Sequence, residues 1–431
     1  MQGPVRRFFK RREMKHYNRL VWLVAVVNLV LAWRLVGGLD LARPASIDPT
    51  PAIDLVVANL TVAVLIRQQY VINALFWLAT RAPTSWPLRV RWMLGKVYHF
   101  GGIHTSAATA ATVWFLLHLV VLIAGAIDGN PRVGPVLLAA NGLLAALLVA
   151  IVATALPFVR QKHHDRFERV HRLGGWSALA LFWVVTLTPL LSGPAADPVA
   201  LIGAWEVWAL AAVTFSVALP WLRLKKVPVE IVSPSDHVAL TRFDHGYTPF
   251  AGSSTGVSRN PLLEWHSFAN VPEPGRDGFR LTISRSGDWT GSFIDDKPEH
   301  VWVKGIATAG VANIEVLFTK VVYVATGSGI GPCLPHLLAR EVPAHLIWAT
   351  RNPVTTYGQD LVDEILAVQP DALVWDTDAN GKPDLVELAH EAVLATGAEA
   401  VICISNPALT WRVVEGMEQR GIPAYGAIWD S

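Results

Sequence analysis

HTSAATAATVWFLLH spans residues 104–118, with a histidine at each end and no charge between. Read as a helix, the fourteen-residue spacing is almost four turns. Both imidazoles then lean to one face, ~21 Å apart along the axis at ~1.5 Å per residue. A stretch this apolar belongs in a helix bundle or a bilayer, and an imidazole at each end needs a partner there.

The surroundings point to a bilayer. The 431-residue chain is 52% hydrophobic and 16% charged, with 18 tryptophans, and its mean hydropathy is +0.37. A net charge of +2 gives no field for nucleic acid. Two cysteines, Cys333 and Cys403, exclude a disulfide framework and a cysteine-ligated zinc or iron–sulfur site. Six apolar segments run over 17–36, 53–80, 98–126, 133–159, 171–190 and 199–222. Each reaches the ~20 helical residues that a hydrocarbon core requires, the fourth with a break at Asn141-Gly142. The basic start feeds a full span without a small-residue cleavage site, so no cleavable leader is expected.

Lys and Arg cluster in alternate loops: VRRFFKRREMKHYNR, RAPTSWPLRVRWMLGK, RQKHHDRFERVHR and RLKK. The other loops hold little beyond Arg43 and Arg132. The positive-inside rule therefore predicts an integral protein of an inner or plasma membrane, with the amino-terminus and everything after Leu222 in the cytoplasm. The expected division is a basic tail (1–16), a six-helix membrane domain (17–222), a small β-barrel (225–313) and a parallel α/β nucleotide-binding domain (314–431). The last two rest on short β-like runs (VPVEIV, FRLTIS, HVWVKGIA) followed by alternating strand and helix patterns.

In this topology the third and fifth segments run the same way, so His104 and His171, in FERVHRLGGW, lie near the cytoplasmic side. Two neutral imidazoles facing each other across a bundle hold a low-spin haem. Gly174 and Gly175 would let a flat macrocycle approach the backbone. The fifth segment should answer His118 near Trp183, Val184 and Val185, where no histidine stands. One inner b-type haem is expected rather than two. His118 is a relic, a ligand with another partner, or a hydrogen-bonded core histidine. Arg67, mid-span in the second segment, would pair with a haem propionate, line an outer acceptor pocket, or pair with Asp54 or Glu206.

In the polar half, VVYVATGSGIGPCLPHLL places Thr326, Gly327, Ser328, Gly329, Ile330, Gly331 and Pro332 in a strand–turn–helix context. Such a glycine loop lets backbone approach a pyrophosphate at a helix N-terminus. Arg351 and Asn352 end the next strand. Arg351 would meet the 2′-phosphate of NADP, or is a loop-exposed arginine. His266 and Phe268, in LLEWHSF, would hold a flavin phosphate and ring, and amides over Gly287, Asp288, Trp289 and Thr290 would cradle a diphosphate. Trp429, near the carboxyl terminus, would stack on the flavin, or is a core aromatic of the last strand.

The order of six spans with histidines on the third and fifth, then EWHSF, GDWT, GSGIGP and GKPD, resembles the ferric reductase and NADPH oxidase superfamily. FERVHRLGGW looks closest to its TmpA-type integral membrane proteins. The resemblance implies a ferredoxin-NADP reductase-like module that passes electrons from NAD(P)H through FAD to haem, and on to an acceptor: a quinone, oxygen or ferric iron. It matches His104, His118 and His171 to three of four family haem ligands. It matches His266, Ser267 and Phe268 to the family's HPFT flavin motif, and Lys382, Pro383 and Asp384 to a nicotinamide-nucleotide loop. Ser405 takes the place of the family's thiol beside the hydride path, and the fourth haem ligand is absent. NAD(P)H, membrane lipid and a small or lipid-soluble electron acceptor are the expected partners, with no nucleic acid. The eroded flavin and cysteine motifs motivate an alternative: a redox-degenerate membrane protein that binds flavin or nucleotide as a sensor or scaffold.

Overall fold

The computed structural model describes residues 15–36, 46–130, 133–191 and 199–427. Trp429 and most of the basic tail at 1–16 lie outside the described residues, as do Arg43 and Arg132. The chain forms two compact units. One takes the residues up to Gln68 and His99–Leu219; the other takes Gln69–Tyr98 and everything from Pro220. The expected single domain over 17–222 therefore gives up residues 69–98 to the carboxyl-terminal unit.

The first unit is helical: His16–Val36, Thr50–Leu65, Gly101–Ile127, Pro135–Ala155, His164–Leu191 and most of Trp205–Leu222. Its core gathers Val56, Trp114, Phe115, Leu144, Phe182 and Leu210. Phe115 and Phe182 meet edge to face at 5.8 Å. Part-buried side-chain amides stitch three helices together. Asn28 and Asn59 exchange hydrogen bonds of 3.0 and 2.9 Å, and the Trp114 indole donates to Asn28 Oδ1 at 2.9 Å. Gly102 permits a close helix approach, since a Cβ there would lie 2.3 Å from the Tyr17 carbonyl oxygen. Large apolar side chains such as Trp22, Leu29, Trp33, Val120 and Leu143 stay exposed around the outside. Among the described residues, five helices are long and apolar enough to cross a membrane, and a bent pair makes a sixth if counted as one.

That pair is the second expected segment, and it is not one rod. The helix Thr50–Leu65 ends, the chain bends by 71°, and Gln69–Ala79 begins. The Arg67 and Gln68 amides donate three residues back, to Val64 and Leu65, which tightens and closes the helix. Arg67 thus sits at a helix end instead of mid-span. The Asn141-Gly142 pair makes no break: Pro135–Ala155 is continuous, with Asn141 Nδ2 donating to the Leu137 carbonyl at 2.9 Å. The fifth helix starts at His164, so His171 lies two turns inside it.

The second unit carries two antiparallel sheets. One has the order β1-β8-β4-β5, with β9 on β4; the other is β2-β3-β7-β6. Their strands are β1 Leu224–Pro228, β2 Glu230–Val232, β3 Val238–Phe243, β4 Ser253–Ser258, β5 His266–Ala269, β6 Val271–Glu273, β7 Arg276–Ser284, β8 His300–Lys304 and β9 Thr308–Ala309. They enclose Val227, Phe243, Val257, Phe279, Leu281, Phe293 and Val303. Alternate burial along β3, β4 and β7 matches the two-residue period of a half-buried strand. A five-stranded parallel sheet follows: β10 Val321–Thr326, β11 Ala344–Thr350, β12 Leu373–Asp376, β13 Ala400–Ile404 and β14 Ala424–Gly426, in the order β12-β11-β10-β13-β14. Its strands are near-continuous apolar runs, as expected for a sheet covered on both faces.

The segment 69–98 is built into this unit. Asn73 donates to the Ala307 carbonyl and accepts from the Ala309 amide, at 3.0 and 2.8 Å. Arg91, on the helix Leu88–Leu94, grips Glu399 with both Nη atoms at 2.7 and 3.0 Å and donates to the Leu317 carbonyl at 2.8 Å. Lys96 donates to Glu418 and to the Ala424 carbonyl, each at 2.6 Å. The basic run RAPTSWPLRVRWMLGK therefore spends Arg91 and Lys96 on internal ion pairs.

Arg91 holds the Glu399 carboxyl down at about 2, below its ordinary 4.5. A depressed folded-state value stabilises above the unfolded value and is lost as pH falls. The thermal midpoint of this unit is expected to drop between about pH 4.5 and pH 2. Glu399→Ala should flatten that dependence and cost about 2 kcal/mol at neutral pH, because it strands a buried guanidinium. A pH series of melting curves on both proteins is the check; parallel curves would contradict it.

Candidate functional site

The parallel sheet changes direction between β10 and β13: from β10 the chain winds outward through β11 to β12, then returns to β13 and β14 on the other side. Ligands of open parallel sheets bind beyond the strand ends at such a switch point. The loop after β10 and the loop after β13 meet here. Thr326 Oγ1 and Ser405 Oγ lie 2.5 Å apart, joining the two strand ends. Gly327 adopts φ +51°, and its carbonyl accepts from the Trp348 indole at 2.9 Å. Gly329 is pressed on β13, where a Cβ would lie 2.0 Å from the Ile404 carbonyl oxygen. Gly331 abuts β7, where a Cβ would lie 3.3 Å from the Thr282 Cβ.

Two helices start at this crevice. Ile330–Ala339 follows the glycine loop and contains Pro332 in its first turn. Pro407–Gln419 follows Ser405 and is capped by Asn406, which accepts from the Leu409 amide at 3.0 Å. Their N-terminal amides supply a positive field suited to a phosphate chain. Ser405 is buried, with its hydroxyl on Thr326. Cys403, one strand position away from the loop, is fully buried, and burial pushes its thiol up to about 12, so it stays protonated.

Other expected nucleotide residues stand further out. Arg351 is exposed at the end of β11, with its Nε 3.9 Å from Asp378. Asn352 takes a left-handed turn (φ +34°), donating its amide to Asp376 and its side chain to Asp378. Two carboxylates beside Arg351 offset its attraction for a 2′-phosphate. Lys382, Pro383 and Asp384 lie beyond the edge strand β12, two strands from β10. Lys382 is exposed there. Asp384 is occupied: it caps the helix Leu385–Thr396 through the Val386 amide and accepts from Arg412 at 3.0 Å.

The expected flavin residues gather around one indole. His266 stacks on Trp289 at 4.2 Å, Phe268 lies 6.0 Å from it, and Phe293 continues the stack at 5.2 Å. Trp289 Nε1 donates to Glu264 at 3.1 Å. Ser267 projects outward on β5, and Asp288 is exposed at the start of the helix Asp288–Asp296. The cradle expected over Gly287–Thr290 is partly filled from within, because the Ser286 and Gly287 amides both donate to Thr290 Oγ1, at 2.9 and 3.1 Å.

In the helical unit, His104 and His171 do face each other, with ring centroids 6.0 Å apart. His104 Nδ1 lies 2.8 Å from the Ala63 carbonyl. A carbonyl only accepts, so Nδ1 carries the proton and Nε2 is left with its lone pair. His171 Nδ1 is buried without a hydrogen-bond partner. Two metal–imidazole bonds of roughly 2 Å, plus about 1.1 Å from each nitrogen to its ring centre, put such centroids about 6 Å apart. That spacing is compatible with one metal between the rings, whose planes cross at 62°. Gly174, expected to face a macrocycle, instead packs on Ile151, and Gly175 faces open space.

His118 lies elsewhere in that unit, lining a cavity of about 380 Å³ with Asn141, Val185, Thr186 and Glu206. Its Nδ1 is 3.3 Å from the Pro49 carbonyl. Arg67 reaches neither this cavity nor a carboxylate among the described residues. It lies over the Phe100 ring at 5.6 Å, while Asp54 accepts from the Trp205 indole.

One buried polar cluster went unread in the sequence. Glu315 accepts from Tyr323 at 2.7 Å and pairs with His336 Nδ1 at 2.5 Å, all three buried. It ties β10 to the helix behind the glycine loop. A lone histidine inside the apolar run PCLPHLL was the available sign.

Among known families, residues 311–431 match the model described as Adenylate-forming reductase 03009, C-terminal domain. Two curated proteins of Coprinopsis cinerea are similar over the whole chain: Adenylate-forming reductase 03009, 41% identical, and Adenylate-forming reductase 06235, 40% identical. The alignments cover 100% of this chain and 42% of each relative, so the chain spans about two fifths of their length. Similar solved structures include a flavohemoglobin from Malassezia yamatoensis (TM-score 0.43, 14% identity, 88% of this chain and 98% of that one). A ferredoxin NADP+ reductase from Neisseria gonorrhoeae has TM-score 0.39 at 15% identity, over 48% of this chain and 99% of that one.

Proposed function

We propose that this chain is a membrane oxidoreductase of the ferric reductase type, drawing electrons from NAD(P)H on the cytoplasmic side. The observation that carries this reading is the imidazole pair. His104 and His171 face each other with ring centroids 6.0 Å apart, one with an oriented ring and the other with an unsatisfied nitrogen, and would hold the metal between them. The switch-point crevice supports it from the other unit: the Thr326–Ser405 bridge, the glycine loop and two helix N-termini form a phosphate-binding edge for the dinucleotide. The word "reductase" in the relatives' names agrees with it.

When bound, a haem held by His104 and His171 would supply a one-electron carrier, and FAD along His266, Phe268 and Trp289 would convert hydride into single electrons. The chain's own part is positional. Gly329 brings backbone to the pyrophosphate, Ser405 lines the nicotinamide side, and the apolar helices keep water from the imidazoles. Arg67, without a carboxylate and one turn from the Ala63 carbonyl that holds His104, is suited to an anionic group at that end. The cavity beside His118 is our assignment for a small, lipid-soluble acceptor such as a quinone, ahead of oxygen or ferric iron. Residues 69–98 share a unit with the nucleotide domain, which agrees with both lying in the cytoplasm.

A second reading has one observation in its favour. The flavin-motif residues pack on one another, His266 stacked on Trp289 and the turn amides donating to Thr290. A redox-silent protein that binds nucleotide as a sensor or scaffold would look the same there. Anaerobic titration of the detergent-purified full chain with NADH and NADPH separates the two. The first reading expects a b-type α-band to grow with nucleotide. A protein that dithionite cannot give such a band, and that nucleotide only stabilises thermally, would overturn it in favour of the second.

A further inference from the structure

The antiparallel sheets of the second unit hold a cavity of about 170 Å³ that neither the nucleotide crevice nor the aromatic stack around Trp289 uses. Its wall carries Arg223, Lys225 and Lys304, with His245 and Thr255, and no carboxylate. Strand pairing turns Lys225 inward, because β1 runs antiparallel to β8 with Lys225 opposite the buried Val303; Lys304, opposite Leu224, lies on the other face with its ammonium 4.5 Å over the Trp265 ring. Gly305 brings Arg223 in: its amide donates to the Arg223 carbonyl at 3.1 Å, and a Cβ there would lie 2.7 Å from that oxygen. Neither Arg223 nor Lys225 forms an ion pair among the described residues.

Two neutral groups on the same wall are unsatisfied. Thr255 is 3% exposed and its Oγ1 has no hydrogen-bond partner; His245 Nδ1 is likewise buried and unpartnered. Burial, then Lys225, holds the His245 ring below the usual histidine range, so it is neutral at pH 7 and offers one N–H. Buried polar atoms in native folds nearly all find a partner, and two orphans facing one cationic cavity share a missing one.

We propose that this cavity binds a phosphate group, held by Arg223 and Lys225, with Thr255 and His245 as its short-range hydrogen-bond partners. The space suits a single phosphate and is smaller than the ~300 Å³ at which drug-sized pockets begin. Arg223 follows directly on Leu222, the last residue of an apolar helix, which favours the headgroup of an anionic phospholipid as the source. Inorganic phosphate shares the chemistry. The inference goes beyond the electron-transfer reading and needs neither haem nor flavin.

The test is calorimetric titration of the detergent-purified full chain with dihexanoyl phosphatidic acid and, separately, inorganic phosphate, each with and without saturating FAD. The expected result is binding of the lipid, tighter than of phosphate and indifferent to FAD. Lys225→Gln should weaken it roughly tenfold and Thr255→Val several-fold. Inorganic phosphate binding as tightly as the lipid, with the same dependence on both variants, would overturn the lipid source and support a free-phosphate site. No binding of either probe, binding unchanged in both variants, or displacement by FAD would overturn the proposal itself.

Discussion

On the proposed haem reading, His171→Ala is expected to remove the haem absorption of the purified protein entirely, while the protein stays folded. His171 makes no hydrogen bond through its Nδ1, so its loss breaks no internal contact of that kind. Its ring sits 6.0 Å from that of His104, and no other described histidine pairs with His104 in this way. If the pair holds haem, removing one of the two imidazoles should lower its affinity by more than about 100-fold, beyond the range seen when mere supporting groups are lost. His104→Ala should do the same. His118→Ala should leave the spectrum intact, since His118 lines a separate cavity. A b-type α-band of wild-type intensity in His171→Ala would remove these residues from any role in holding iron.

Gly329→Ala should be the most damaging single methyl group in the nucleotide domain. The new Cβ would stand 2.0 Å from the Ile404 carbonyl oxygen, well inside van der Waals contact, and the obstacle is the backbone of β13. Its φ of −59° suits any residue, so the cost is steric and not conformational. Relief requires the glycine loop to lift away from β13, which separates Thr326 from Ser405 and opens the switch point. A loss of about 1–3 kcal/mol in stability is expected, with nucleotide affinity falling about 10–100-fold. Gly327→Ala is the milder comparison: space is ample, with Tyr357 Oη 3.6 Å away, and only the positive φ resists it, at about 1–2 kcal/mol. Fluorescence titration with NADPH and NADH, beside a melting curve, measures both effects. Wild-type affinity in Gly329→Ala would mean that the dinucleotide binds elsewhere.

The parallel sheet was the most legible part of the chain, because its strands are unbroken apolar runs of β-branched residues between amphipathic helices. Observed β11, Ala344–Thr350, coincides with the run AHLIWAT. The glycine loop was legible for the same reason: local chemistry and local geometry agree there. What escaped reading was non-local. Arg91 and Lys96 looked like loop charges facing the cytoplasm, yet their carboxylates, Glu399 and Glu418, lie some three hundred positions away, beyond the reach of any periodicity. The bend after Leu65 has no proline or glycine to announce it; the polar run Arg67-Gln68-Gln69 was its only mark. The opposition of His104 and His171 could be read because each histidine lies in the first turns of a long apolar helix. The internal satisfaction of Thr290 and Trp289 could not, since it depends on how a turn folds onto its own helix.

Residues 69–98 interrupt one unit in order to complete the other, so the polypeptide passes between the two three times. A cut at the obvious junction near Leu222 would strip the carboxyl-terminal piece of Asn73, Arg91 and Lys96, leaving Glu399 and the Ala307–Ala309 edge without the groups that hold them. Such a piece should be hard to obtain alone and hard to exchange between proteins as a ready-made cassette. Neither unit is contiguous along the chain, so moving one into another protein would mean carrying both of its segments.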